Sequence, residues 1–168
     1  STGLVSIYSH KTTTGKTLAL YAINSMFGHP KELLMQHRDT ANAMYKIRGI
    51  LNQLPCTIDE LTTIEPQKAV DMTYDFSSGV EKNSMTQTRD LREPVRWTGP
   101  TFVTTNVSLT QQFDIVQAND SALRARCLEI VHDDRRLVQK GEDGISPSDR
   151  FFDDISANYG WAYPELVD

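Results

Sequence analysis

The sequence predicts an α/β fold, a mainly parallel central sheet flanked by helices, on three observations. Short β-branched, apolar runs at 4–9 (LVSIYS), 101–106 (TFVTTN) and 126–132 (RCLEIVH) alternate with stretches whose apolar residues recur at helical spacing. Alternation of this kind places helices on both faces of a parallel sheet. The first run leads through a threonine- and glycine-rich loop directly into a helical pattern, and further strands close on polar residues. Sheets of this class bind ligands at the carboxyl ends of their strands.

Taken in order, the strand at 4–9 is followed by a helix over 16–27 that Gly28-His29-Pro30 stops. A second helical pattern runs from about Thr40 to Leu54, with Ala43, Ile47, Ile50, Leu51 and Leu54 recurring at intervals of three and four. It leads into the short strand of CTIDEL, whose end carries two acids. Residues 65–76 read as helix, with Pro66 in its first turn. From 77 to 100 the chain is polar, contains Gly79 and Gly99, and reads as a hairpin or long loop. A strand at 101–106, another helix and the strand at 126–132 follow. The charged stretch at 133–149 is a connector, and 149–159 closes the fold as a helix. These readings divide the chain into a core over 1–135 and a connector with closing helix over 136–168, all within one domain.

At 168 residues, 39% hydrophobic and 23% charged, the composition suits one globular domain with a substantial core. No apolar run approaches the roughly 20 residues a membrane helix needs, and the N-terminus lacks a signal-type core. The expectation is a cytoplasmic protein of a host cell, without membrane contact. The opening Ser1-Thr2-Gly3, without methionine, suggests a piece of a longer polypeptide with flanking domains. Cys56 and Cys127 lie in apolar strand-like segments without metal-type spacing and read as small buried thiols. A net charge of −5 excludes a surface coated in positive potential, so any contact with nucleic acid must be local.

The chemistry starts in SHKTTTGKTLAL, residues 9–20. Counting back from Gly15-Lys16-Thr17 along the pattern G-x-x-x-x-G-K-[ST] puts His10 where the first glycine belongs. A loop between strand and helix can aim successive backbone N–H groups and a helix N-terminus at one triphosphate. Lys16 would reach the β and γ phosphates of ATP, and the Thr17 hydroxyl would ligate Mg²⁺. Gly15 allows close backbone approach, while Thr12, Thr13 and Thr14 add hydroxyls. His10 either distorts the loop or begins it in a conformation that needs no glycine.

A nucleotide site also needs a carboxylate from a second strand. Asp59 would hold Mg²⁺ through water and Glu60 would polarise the attacking water. Adjacent acids on a strand point to opposite faces unless the strand is ending, as it does here. The competing reading is a solvated turn. Asn106, closing FVTTN, can hydrogen-bond the γ-phosphate and the water; otherwise it caps a turn.

These elements, with TTTGKT, the Gly-x-Pro of FGHP, TIDE, SSGVEKNSM, Trp97, SALRARCLEI and ANYGWAYPELV, resemble the superfamily 3 helicases within the AAA+ class of P-loop NTPases. The likeness is to a helicase-like domain of phages and mobile elements, often fused to primases. It implies an ATP-dependent DNA helicase motor that translocates on single-stranded DNA as a homo-oligomeric ring, expected to be hexameric, with a fused or associated primase. It also implies that Arg126 acts as an arginine finger toward the ATP of the next subunit, with Arg124 as the fallback and surface pairing of either with Asp120 or Glu129 as the plain alternative. In such rings a hairpin ahead of the strand that here ends in Asn106 tracks the DNA backbone. Here that region is 79–97, with Lys82 expected to make the first contact and Arg89 to support it. Trp97 reads as a core anchor rather than a base platform. Two other readings stay open: a non-unwinding AAA+ module that assembles or loads a replication complex, and a monomeric P-loop kinase.

Overall fold

The computed structural model describes all residues except 1, 13, 37–39, 62–64, 82–92, 117–120, 134–138 and 163–168. The order is β1 (Leu4–Tyr8), α1 (Lys16–Ser25), β2 (Leu34–Gln36), α2 (Ala41–Leu51), β3 (Cys56–Asp59), α3 (Pro66–Ser78), β4 (Thr101–Thr105), α4 (Leu109–Ile115), α5 (Ser121–Arg124), β5 (Cys127–Val131) and α6 (Pro147–Ala157). The strands form one sheet in the order β2-β3-β4-β1-β5, and every pairing is parallel. The expected α/β architecture is therefore present, with β2 as an added edge strand that the sequence did not announce.

Parallel strands need both faces covered. On one face, Leu4, Cys56, Ile58, Val103 and Cys127 join Met44 of α2 and residues of α3, α4 and α5 in the main core. The other face carries Thr57, which is buried and donates from Oγ1 to Asn24 of α1 at 2.9 Å. Asn24 in turn donates to the carbonyl of Pro30 at 2.9 Å. That chain of bonds is why a threonine sits inside a buried strand.

Caps follow local chemistry. Thr40 caps α2 by accepting the Ala43 N–H, Pro66 opens α3, and Gly79 closes α3 at φ 74. Ser146 and Asp149 form a reciprocal capping box at the start of α6. Around the polar stretch after α3, Val80 bridges Arg96 antiparallel, and Glu81 N–H donates to the carbonyl of Val95 at 2.8 Å. The ends of the expected hairpin thus pair, while Lys82 and Arg89 lie outside the described residues.

The expected helix is present as α2, and of the residues that set its spacing Ile47 and Leu51 pack partly buried against the core, whereas Ala43 is exposed and Ile50 is 74% exposed. Met44, Tyr45 and Arg48 are buried on the same helix. Arg48 is fully buried and donates to the carbonyls of Gly99 at 2.8 Å and Pro100 at 3.1 Å, lying over the face of Trp97. Trp97 stacks on Tyr45 and donates its indole N–H to Phe76. It is an anchor, as expected.

Both cysteines are free and buried. Burial pushes the Cys56 thiol up to about 11 and the Cys127 thiol up to about 12. The thiolate is the reactive form. At pH 8 the folded protein should therefore resist a disulfide-exchange reagent, and two thiols per chain should react once denaturant is added; prompt labelling of the folded protein would contradict this.

Candidate functional site

The loop between β1 and α1 occupies the carboxyl end of the two central strands. Gly15, the N-cap of α1, has φ 89, a left-handed conformation in which a side chain would be strained. His10 does not adopt such a conformation; it is exposed, its ring stands edge-on to the Tyr8 ring, and its Nε2 hydrogen-bonds the Tyr8 hydroxyl. The loop therefore starts without needing glycine at that position.

Residues just past β5 tie the loop down. Ser9 donates its hydroxyl to Asp133 at 2.7 Å and accepts the Lys11 N–H at 3.0 Å. The Ser9 bond, more than Lys11 or the nearby histidines, holds the Asp133 carboxyl below its usual range. His132 bonds the carbonyl of Thr14 through Nε2 at 2.9 Å, which requires the proton on that nitrogen. Sequence reasoning missed His132 and Asp133, the last residue of the expected strand at 126–132 and the first of the charged stretch that follows it. Only their position after an inner strand's neighbour could have marked them.

The amine of Lys16 points back into the loop, donating to the carbonyl of Lys11 at 3.1 Å and to Oδ1 of Asn106 at 2.7 Å. Burial lowers the pKa of Lys16, opposed by the charges of Asp59, Asp133 and Glu60. One helical step on, Thr17 shares its hydroxyl proton between the two oxygens of Asp59, each at 3.2 Å. Thr104 touches both acids: its hydroxyl bonds Asp59 and accepts the Glu60 N–H at 2.9 Å.

Lys16, Thr17, Asp59, Glu60 and Asn106 line a single cavity of about 450 Å³, together with Thr12, Thr14 and Gly15. Its far wall is α6, through Ser148, Asp149 and Phe152, with Phe152 packed on Tyr21 of α1 at 5.0 Å. The helix expected to follow the connector thus forms part of the cavity wall. Thr13 lies outside the described residues. Arg126 stands at the amino end of β5 and does not line this cavity; it donates to the carbonyl of Ala122 and lies over Tyr74. Arg124 pairs with Asp114. Glu129, a candidate surface partner for Arg126, instead accepts from Ser108, Thr110 and the Leu109 N–H.

Among the described residues no three His, Cys, Asp or Glu side chains cluster as a metal cage. Mg²⁺ takes one or two carboxylates and fills its other positions with phosphate oxygens and water. The adjoining hydroxyl of Thr17 and carboxylate of Asp59 fit that requirement.

The model of a family described as a domain of unknown function, DUF927, matches residues 1–96. That span holds Lys16, Thr17, Asp59 and Glu60 and ends before Asn106. No curated protein matches the chain. A solved structure described as "SCCmec type IV Cch - active helicase" is similar to it, with a TM-score of 0.64 and 20% identity, over 98% of this chain and 28% of that one. The likeness is one of fold, and the chain spans little more than a quarter of that protein. No helix among the described residues is long and apolar enough to cross a membrane.

Proposed function

We propose that this chain, which belongs to the DUF927 family, is the ATP-hydrolysing motor domain of a DNA helicase from a phage or mobile-element replication system, acting as a ring on single-stranded DNA. The observation that carries the reading is the convergence of Lys16, Thr17, Asp59, Glu60 and Asn106, from three parts of the sheet's carboxyl edge, on one cavity. The fold likeness to a protein described as a helicase supports the same direction.

In this reading Lys16 gives up its bonds to the loop carbonyls for the β and γ phosphates of ATP. The backbone N–H groups ahead of α1 and that helix's positive end bind the same anion. Thr17 and Asp59 would hold Mg²⁺, which neutralises phosphate charge when bound. Glu60 orients and deprotonates the attacking water, and Asn106 holds the γ-phosphate in line. Arg126, which does not line the cavity of its own chain, would serve the nucleotide of a neighbouring subunit, and Lys82 with Arg89 would contact DNA in the ring's channel.

The test is ATP hydrolysis by the full chain as a function of protein concentration, with and without single-stranded DNA. The specific rate should rise with concentration and with DNA. Lys16→Ala and Arg126→Ala should each be inactive alone and regain activity when mixed. A rate linear in protein, indifferent to DNA and unaffected by Arg126→Ala would mark a self-contained nucleotide enzyme instead.

A further inference from the structure

The two acids present a geometric problem. Residues 59 and 60 are neighbours at the end of β3, and on a continuing strand their side chains would diverge to opposite faces. Both nevertheless line the cavity. β3 and β4 are in register through Ile58↔Val103, so the next pair in line is Asp59 with Thr104. There the regular ladder stops. The Glu60 N–H donates to the Thr104 side chain at 2.9 Å, and the Leu61 N–H takes the Thr104 carbonyl at 2.9 Å.

Glu60 has φ 61, one of two non-glycine residues among those described with a left-handed backbone. Such a conformation costs about 1–3 kcal/mol and persists only where its surroundings impose it. The Thr104 hydroxyl is what lies against it. A backbone N–H can only donate and an ionised carboxylate can only accept, so the direction of each bond is fixed. Thr104 accepts from Glu60 and its one proton goes to Asp59 Oδ1.

We infer that Thr104 is a positioning residue, a single buried hydroxyl that turns the chain at Glu60 and aims both carboxylates into the cavity. It lines the same cavity and acts through Asp59 and Glu60, holding one by its proton and the other by its oxygen. The inference rests on the nucleotide reading above.

Thr104→Val keeps the side-chain shape and removes the hydroxyl; Thr104→Ser keeps the hydroxyl and removes the methyl group. For the full chain, two quantities are compared with wild type: the binding of a fluorescent ATP analogue without divalent metal, and the rate of hydrolysis against Mg²⁺ concentration. The Val variant should bind the analogue within about threefold of wild type. Its kcat should fall about 10–100-fold and its half-saturating Mg²⁺ should rise about tenfold, the scale for losing a residue that orients a metal ligand. The Ser variant should stay within about threefold of wild type on both.

A Val variant that matches wild type overturns the inference while the nucleotide reading stands. So does a Ser variant as impaired as Val, since the methyl group would then be what matters. If Val melts below the assay temperature, Thr104→Ala replaces it in the same comparison with Ser. A wild-type chain that neither binds the analogue nor hydrolyses ATP overturns the nucleotide reading, and this inference with it.

Discussion

Gly99→Ala should destabilise the protein by about 3–5 kcal/mol, more than a typical point substitution. A methyl group at Gly99 would stand 2.2 Å from the carbonyl oxygen of Leu54 and 2.7 Å from that of Gln53. Both are backbone atoms, so no side-chain rotation relieves the clash. The turn after α2 is also bound to this segment, since the N–H groups of Thr98 and Gly99 donate to Asn52 at 3.1 and 2.7 Å. Moving the segment away would pull the Gly99 and Pro100 carbonyls off the fully buried guanidinium of Arg48. A buried cation stripped of its acceptors is strongly unfavourable. For a domain of this size the loss corresponds to a fall in melting temperature of about 10 °C or more. Thermal unfolding followed by circular dichroism measures it, and a midpoint within about 2 °C of wild type would show that the turn moves aside freely.

Glu60→Gln should separate nucleotide binding from hydrolysis. The substitution preserves size and leaves the Lys16 amine, the Thr17 hydroxyl and Asp59 in place, so affinity for an ATP analogue should change by no more than about threefold. Losing a positioned base should slow single-turnover hydrolysis about 10²-fold or more. Lys16→Ala behaves differently, because it deletes a cation that burial has already partly stripped of water and that reaches across to Asn106. Its binding should weaken about tenfold or more, with hydrolysis lost as well. Retained hydrolysis in Glu60→Gln would assign the base elsewhere.

The geometry of the central site was legible because it depends on short-range patterns: a strand, a loop ending in Gly15-Lys16-Thr17, a helix, and two later strands that end in polar residues. Parallel strands all end at the same edge, so pattern and architecture together bring Lys16, Asp59 and Asn106 near one another. Their chemical roles are proposals that the experiments above address. β2 was not legible, since three residues are too few for a period-two signal. The burial of Arg48 on α2 was not legible for a different reason. Its acceptors, the carbonyls of Gly99 and Pro100, lie about fifty residues away, on a loop whose approach only the tertiary structure reveals. Thr104 and His132 share that property, each defined by a bond to a distant segment. His10 raised a question that the backbone answers, because that position never needs a positive φ.

The place of β1 in the sheet bears on how the chain emerges from the ribosome. Its two neighbours are β4, which begins at Thr101, and β5, which begins at Cys127. A nascent chain that has released β1, its loop and α1 holds the motif but neither strand that flanks it. The last ties, from His132 to Thr14 and from Asp133 to Ser9, come later still. Closing such distant pairings is slow, and an early strand without partners offers exposed edges meanwhile. Synthesis should therefore yield no partly working intermediate: the cavity is assembled only after most of the chain is made, and a translation product cut short before β4 leaves β1 without either partner.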